Sequence, residues 1–134
     1  MEKGMSEKMT GGQAIVGTLT RQGIDTIFGL PGVQLDNTFD ALYQARNKIR
    51  TIHTRHEQAA GYMALGYAQA SGRVGACIVG PGPGLLNTGA ALATAAGSNA
   101  PVLCIAGQIP SSQIGVGMGM THEIRDQTAA MRGV

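Results

Sequence analysis

The stretch VGACIVGPGPGLLN, residues 74–87, decides the fold class of this chain. Its first six residues form an unbroken run without charged side chains, and a strand that is apolar on both faces is typical of a parallel sheet covered by helices. The glycine- and proline-rich segment 80–84 predicts a rigid turn, after which residues 85–97 have the composition of a helix. The stretch therefore predicts one strand–turn–helix unit of an α/β sheet.

The same alternation continues on both sides of this unit. The predicted strands are residues 24–28, 49–53, 74–79 and 101–106, and the predicted helices are residues 11–22, 35–45, 56–71, 85–97 and 122–130. Thr10 is expected to cap the first helix, while Gly23 and Gly72 are expected to end the first and the third. We therefore predict an open parallel sheet with helices on both faces, in which segments 76–79 and 102–106 are buried on both sides.

Length and composition limit the classes of protein that need to be considered. With 134 residues, 43% of them apolar and 13% charged, the chain is long enough for one globular domain with one core. We expect residues 1–9 to form a mobile tail and residues 10–134 to form a single domain that is cut short at its C-terminal end.

The net charge of +2 comes from scattered basic residues, which argues against a nucleic-acid surface. No apolar run reaches the roughly 18–20 residues of a membrane span.

The chain has two cysteines, Cys77 and Cys104, and each falls inside a predicted strand. We expect buried free thiols, as in a protein of the reducing cytoplasm, and a disulfide is the less favoured alternative.

Ligands of open α/β sheets bind at the carboxyl ends of the strands. Four predicted loops leave those ends, at residues 29–34, 54–58, 80–87 and 107–122, and we expect them to converge. Within the second loop, Glu57 falls in the first turn of a helix, and Ala59, Ala60 and Gly61 leave space beside it. The spacing alone leaves two interpretations open: a functional acid, or an ordinary acidic residue stabilised by the helix dipole.

Several familiar sites are excluded by single positions. His56-Glu57 would suit a zinc protease helix, but position 60 is alanine rather than histidine. The turn at 80–84 lacks the Gly-Lys-Ser/Thr ending of a phosphate-binding loop, and its two prolines remove backbone donors. It suits a flat ring better than an anion, although a plain turn without any ligand stays open. Three histidines and two cysteines are too dispersed for a metal site, so we predict none.

Four segments together resemble one family. They are Phe28-Gly29-Leu30-Pro31-Gly32, Arg55-His56-Glu57-Gln58-Ala59-Ala60 with Ala64-Leu65-Gly66-Tyr67-Ala68, Gly82-Pro83-Gly84-Leu85-Leu86-Asn87, and residues 101–110. In this order and spacing they resemble the N-terminal pyrimidine-binding domain of thiamine diphosphate-dependent enzymes of the acetolactate synthase type. The resemblance covers nearly the whole chain from Thr10 onward.

The resemblance implies roles for individual residues. Glu57 would be the catalytic acid that contacts the pyrimidine nitrogen of the cofactor, and Pro31, Gly32, Pro83 and Asn87 would line the ring and its surroundings. Acetolactate synthases carry a glutamine in the loop that follows. The matching loop here looks two residues longer and places His122 at that position. The resemblance therefore fits a carboligase, a decarboxylase or a lyase equally well.

The resemblance also implies partners. The diphosphate and its Mg²⁺ would be held by a separate domain marked by Gly-Asp-Gly, a sequence absent from this chain, in the same or a partner polypeptide. A homodimer or homotetramer is implied, and the isolated chain is expected to be inactive. A row of small residues suits close helix packing, internal or across such an interface: Gly89, Ala93, Ala96 and Gly97. The alternative function is a non-catalytic subunit that only associates with a partner.

Overall fold

The computed structural model describes residues 8–134, so the predicted tail at 1–9 lies largely outside the described residues. The strands are β1 (Thr26–Gly29), β2 (Arg50–His53), β3 (Gly75–Val79) and β4 (Val102–Ala106). The helices are α1 (Gly11–Arg21), α2 (Asp36–Gln44), α3 (Glu57–Ser71), α4 (Pro83–Asn87), α5 (Gly89–Gly97) and α6 (Gln127–Met131), with single 3-10 turns at Val33–Leu35 and Ser111–Gln113. Between residues 8 and 134, every helix is too short or too polar to cross a membrane.

The four strands form one parallel sheet in the order β2-β1-β3-β4. Because neighbouring residues of a strand point to opposite faces, Ile27 and Phe28 enter different cores. Ile27 packs with Val16, Leu19 and Leu42 of α1 and α2, whereas Phe28 packs with Ala60 and Ala64 of α3. Helices thus cover both faces, and the predicted fold class is confirmed.

The two central predictions of strand burial have different outcomes. All five residues of β3 are buried, as predicted for a strand with neighbours on both sides. The prediction that 102–106 is buried on both faces is wrong, since Leu103 is 40% exposed and the other residues of β4 are only half-buried. Within the described residues β4 is an edge strand, so it has a neighbouring strand on one side only.

The predicted start of the first helix and the predicted end of the third are confirmed. Thr10 and Gln13 form a reciprocal capping box, in which the Thr10 amide donates to Gln13 Oε1 at 2.8 Å and the Gln13 amide donates to Thr10 Oγ1 at 3.1 Å. Gly72 ends α3 in the left-handed conformation, with φ at +69°.

Two helix predictions need correction. The helix predicted at 85–97 is two helices that meet at Thr88, whose hydroxyl donates to the Leu85 carbonyl at 2.6 Å and competes with continuous helical bonding. The helix predicted at 122–130 begins only at Gln127, because Asp126 is the N-cap and accepts from the amide of Ala129.

Helix α5 packs on α3 through different residues from those predicted. A Cβ added to Gly61 would lie 2.8 Å from the Cβ of Ala91, so the two helices approach closely there. The buried residues of α5 are Ala91 and Ala95. The predicted small-residue face is exposed at Ala93, Ala96 and Gly97 and half-buried at Gly89, so the alternative of internal packing is wrong for that face.

Candidate active site

The loops at the carboxyl ends of the strands are tied together by backbone hydrogen bonds that extend the ladder beyond the strands. The Leu30 amide donates to the Ile78 carbonyl at 3.3 Å, and the Gly107 amide donates to the Val79 carbonyl at 3.0 Å. The Thr54 amide donates to the Gly29 carbonyl at 2.9 Å. The loops that follow all four strands therefore start from one connected edge of the sheet.

Glu57 is the first residue of α3, and the residues before it are held in place by side-chain bonds. The buried Thr54 donates its hydroxyl proton to the His56 carbonyl at 2.9 Å. His56 is the N-cap, and its Nδ1 accepts from the Gln58 amide at 3.1 Å. Glu57 thus leaves the end of β2 in a fixed direction, and its side chain is half-buried.

The carboxyl group of Glu57 has two different oxygens. Asn87 Nδ2 donates to Oε2 at 2.9 Å. A Cβ added to Gly84 would lie 3.3 Å from Oε1 and within 4 Å of the carboxyl carbon, so this glycine leaves room for the group. Among residues 8–134, no hydrogen bond to Oε1 is formed. One oxygen is therefore held by the protein, and the other is available to a ligand.

The turn between β3 and α4 is clamped by Gln127. The Gly82 amide donates to Gln127 Oε1 at 3.2 Å, while Gln127 Nε2 donates to the Gly107 carbonyl at 3.0 Å. Gly82 has φ at +55°, and a side chain there would collide with the His122 carbonyl oxygen. The late segment of the chain therefore lies directly on this turn, with Pro81 buried and Pro83 exposed at the start of α4.

His122 bonds to the first loop rather than to Glu57. Its Nδ1 lies 3.1 Å from Gln34 Oε1, and Gln34 Nε2 donates to the Thr121 carbonyl at 3.0 Å. Because Gln34 Oε1 can only accept, Nδ1 carries the hydrogen of this bond. His122 is exposed and has φ at +69°, a conformation that non-glycine residues adopt infrequently.

The remaining predicted residues, Pro31 and Gly32, are placed differently. Pro31 is exposed and lines a cavity of about 450 Å³ beside β2, with Phe39, Tyr43 and His53; Glu57 does not line this cavity. Gly32 precedes the first 3-10 turn, and its carbonyl accepts from the Leu35 amide at 2.7 Å. The structure thus joins Glu57 to Asn87 directly, brings His122 to the same turn through Gly82, and leaves Pro31 and Gly32 on the neighbouring loop.

Sequence reasoning missed the residues that fasten these loops to one another. Gln34 and Gln127 were not singled out, because nothing in the spacing of a glutamine tells which distant carbonyl its amide will meet. Gly84 had a weak signal, as one of three glycines in a short turn. Among residues 8–134, no three histidine, cysteine, aspartate or glutamate side chains are grouped so that they could hold a metal ion.

Comparison with known proteins adds independent findings. Residues 9–130 match the family model described as thiamine pyrophosphate enzyme, N-terminal TPP binding domain. Similar proteins include a probable 2-ketoarginine decarboxylase of Pseudomonas aeruginosa, 43% identical over 90% of this chain and 21% of that protein. An acetolactate synthase large subunit of Corynebacterium glutamicum is 41% identical, over 91% of this chain and 19% of its own length. The mitochondrial catalytic subunit of acetolactate synthase of Saccharomyces cerevisiae is 40% identical, over 80% and 15%. The chain spans about a fifth of the length of such relatives.

Proposed function

Because this chain belongs to the thiamine pyrophosphate enzyme family as its N-terminal, pyrimidine-binding domain, we propose that it forms the pyrimidine half of the cofactor site in an enzyme acting on a 2-keto acid or a related carbonyl donor. The observation that carries the proposal is the asymmetric carboxyl group of Glu57. Oε2 is engaged by Asn87, whereas Oε1 makes no hydrogen bond within residues 8–134 and faces Gly84.

The residues around Glu57 fit a flat heteroaromatic ring. The position beneath the carboxyl group is a glycine, and the turn that leads to it contains two prolines, so this wall of the site is short and rigid. A ring nitrogen needs one hydrogen-bonding oxygen, and Oε1 would supply it. Thiamine diphosphate, when bound, supplies the carbon nucleophile that attacks the carbonyl group of the substrate.

Each residue then has a definite task. Glu57 holds a proton at Oε1 and shares it with the ring nitrogen. Asn87 keeps that proton on Oε1, because its own N–H already occupies Oε2. Pro83 would limit the space around the ring, and the resemblance gives the same task to Pro31 and Gly32 of the neighbouring loop. His122 is tied to that loop through Gln34.

The charged end of the cofactor requires another domain. Mg²⁺ takes oxygen ligands, commonly one or two carboxylates together with phosphate oxygens. The loops at 29–34 and 80–87 contain no acidic residue. We therefore assign the diphosphate and Mg²⁺ to a diphosphate-binding domain of the same or a partner chain. We further propose that the assembly is a cytoplasmic homodimer or homotetramer. The isolated 134-residue chain is then expected to be inactive.

The names of the relatives support the substrate class. They include a 2-ketoarginine decarboxylase and several acetolactate synthases. His122 stands where the resemblance places a glutamine of acetolactate synthases, and this difference leaves carboligase, decarboxylase and lyase reactions all compatible with the site.

Turnover of 2-keto acids by the complete protein, with thiamine diphosphate and Mg²⁺, tests the proposal. We expect release of CO₂ from at least one member of a panel of 2-keto acids, and loss of this release in Glu57→Gln. Asp36→Asn is the matched control, since Asp36 is also in the first turn of a helix, after the first loop, and has no part in the site. If no member of the panel reacts, the alternative of a non-catalytic subunit is favoured.

A further inference from the structure

The two cysteines of the chain lie side by side in the sheet, and we propose that they form a peroxide-sensitive pair in which Cys104 is oxidised first and Cys77 then closes a disulfide. Neither thiol belongs to the site around Glu57, and the proposed reaction uses neither of them. The sequence predicted two buried free thiols, with a disulfide as the less favoured alternative; both thiols are free, but only Cys77 is buried and Cys104 is half-buried.

The pairing follows from the register of the strands. Cys77 of β3 and Cys104 of β4 are register partners, and both thiols are free. Partners in a parallel pair project from the same face, and neighbouring strands are about 4.8 Å apart. Disulfides commonly join Cα atoms about 4.4–6.8 Å apart, so the backbone already has a spacing that a disulfide accepts.

The two thiols differ in access to solvent. Cys77 is fully buried, with 0% of its surface exposed. Cys104 is half-buried and lines a cavity of about 450 Å³ together with Leu92, Met131 and Arg132. A molecule as small as hydrogen peroxide can therefore approach Cys104 and not Cys77.

The two thiols also differ in pKa, which makes Cys104 the better nucleophile. The neighbouring Cys77 thiol lowers the pKa of Cys104, and burial opposes this effect. The neighbouring Cys104 thiol, together with burial, raises the pKa of the Cys77 thiol. The thiolate is the reactive form of cysteine, so reaction begins at Cys104.

The chemistry needs one equivalent of a hydroperoxide. The Cys104 thiolate attacks one peroxide oxygen, the O–O bond breaks, and hydroxide leaves, which gives a sulfenic acid. The sulfur of Cys77 then attacks the sulfur of Cys104, an S–S bond forms, and the S–O bond breaks. The thiol proton of Cys77 leaves with the hydroxyl group as water, so the two thiols are oxidised by two electrons and the peroxide is reduced.

Peptide mapping tests the pair directly, because residues 74–125 form a single tryptic peptide that contains both cysteines. The folded protein is treated with hydrogen peroxide, its remaining thiols are alkylated, and it is digested. We expect this peptide to lose two hydrogens and to take up no alkyl group. Oxidation of Met118 or Met120, in the same peptide, adds oxygen instead and is recognised by mass.

Matched variants separate the two roles. In Cys77→Ala we expect a sulfenic acid at Cys104, trapped with dimedone, and in Cys104→Ala we expect Cys77 to react at least about tenfold more slowly. Equal rates in the two variants would overturn the assignment. A wild-type peptide that keeps both thiols after peroxide treatment would also overturn the proposal. A disulfide that forms as fast in urea as in the folded protein would overturn it as well, and this comparison does not depend on the folding of any variant.

Discussion

The side-chain amide of Asn87 donates to Oε2 of Glu57 across 2.9 Å, and this bond joins the last residue of α4 to the first residue of α3. A carboxyl group offers that oxygen only as an acceptor here, so the amide nitrogen rather than the amide oxygen must face it. The orientation of Glu57 therefore depends on a residue of α4, the helix that follows a different strand, β3.

Asn87→Ala is expected to slow the reaction of the complete enzyme while leaving its fold intact, because Asn87 is exposed and its side chain bonds to Glu57. A hydrogen bond between neutral groups is worth about 0.5–1.5 kcal/mol, which corresponds to roughly two- to tenfold in rate. Steady-state kinetics with circular dichroism measure both effects. Asn47→Ala, at an exposed asparagine outside the site, is the control, and an unchanged rate in Asn87→Ala would remove the positioning role.

Gly84→Ala is expected to displace the Glu57 carboxyl group, since the added Cβ would lie 3.3 Å from Oε1. The backbone of Gly84 is not in the left-handed region, so the substitution should not strain the turn itself. We expect weaker cofactor binding, seen as a raised thiamine diphosphate concentration for half-maximal activity, with a melting temperature close to that of the wild type. Gly89→Ala is the control, because a Cβ there meets nothing within 4 Å, and equal behaviour of the two variants would contradict the account.

Gln127→Ala is expected to release the late segment from the turn, because the side chain bonds to both the Gly82 amide and the Gly107 carbonyl. Each lost bond to a part-buried group costs about 1–3 kcal/mol. Hydrogen–deuterium exchange should become faster at the Gly82 amide and over residues 120–134, but not in β1. Thr128→Ala, at the exposed neighbouring position, should leave this pattern unchanged.

The stability of the protein should depend on Asp25 in a pH-dependent way. Asp25 accepts from Arg73 at 2.8 Å and from the Tyr67 hydroxyl at 2.9 Å, and these two bonds, chiefly that to Arg73, lower its pKa below the ordinary 3.8. A lowered folded-state pKa contributes stability above the unfolded value, which is lost as pH falls through the folded value. Asp25→Asn should therefore be less stable than the wild type at neutral pH, and the difference should vanish in acid.

Urea unfolding at neutral and acidic pH measures this difference. Because Asp25 and Arg73 are both about half exposed, salt should also reduce it. In an Arg73→Ala background the same Asp25 substitution should have a smaller effect. A difference that persists unchanged in acid would exclude the ion pair as its cause.

The parts of the fold that local chemistry decides were predictable. Thr10 and Gly72 mark helix ends through their own hydrogen bonding and backbone freedom, and the charge-free run of β3 reflects burial on both faces. The apolar run of β4 looks the same in the sequence, yet β4 is an edge strand, because burial depends on neighbours that a single strand does not encode. The break at Thr88 depends likewise on where one hydroxyl proton goes.

The candidate site was predictable at the level of loops and less so at the level of contacts. Glu57 and Asn87 were named from motifs, and the structure joins their side chains by a hydrogen bond. The division of the chain at residue 10 and the functional roles of the named residues stay predictions. The clamps made by Gln34 and Gln127 depend on long side chains that reach across 87 and 45 residues of sequence, and no local pattern carries that information.

The proton-holding role of Glu57 is tested most directly by exchange of the thiazolium C2 proton of thiamine diphosphate bound to the complete enzyme, followed by quenched-flow NMR. The account predicts that Glu57→Gln slows this exchange by about 10²–10⁴-fold, the usual contribution of a general acid–base group, while Asp36→Asn exchanges at the wild-type rate. Exchange at the wild-type rate in folded Glu57→Gln that still binds the cofactor would contradict it, and Glu57 would then be only an acidic residue at the start of a helix.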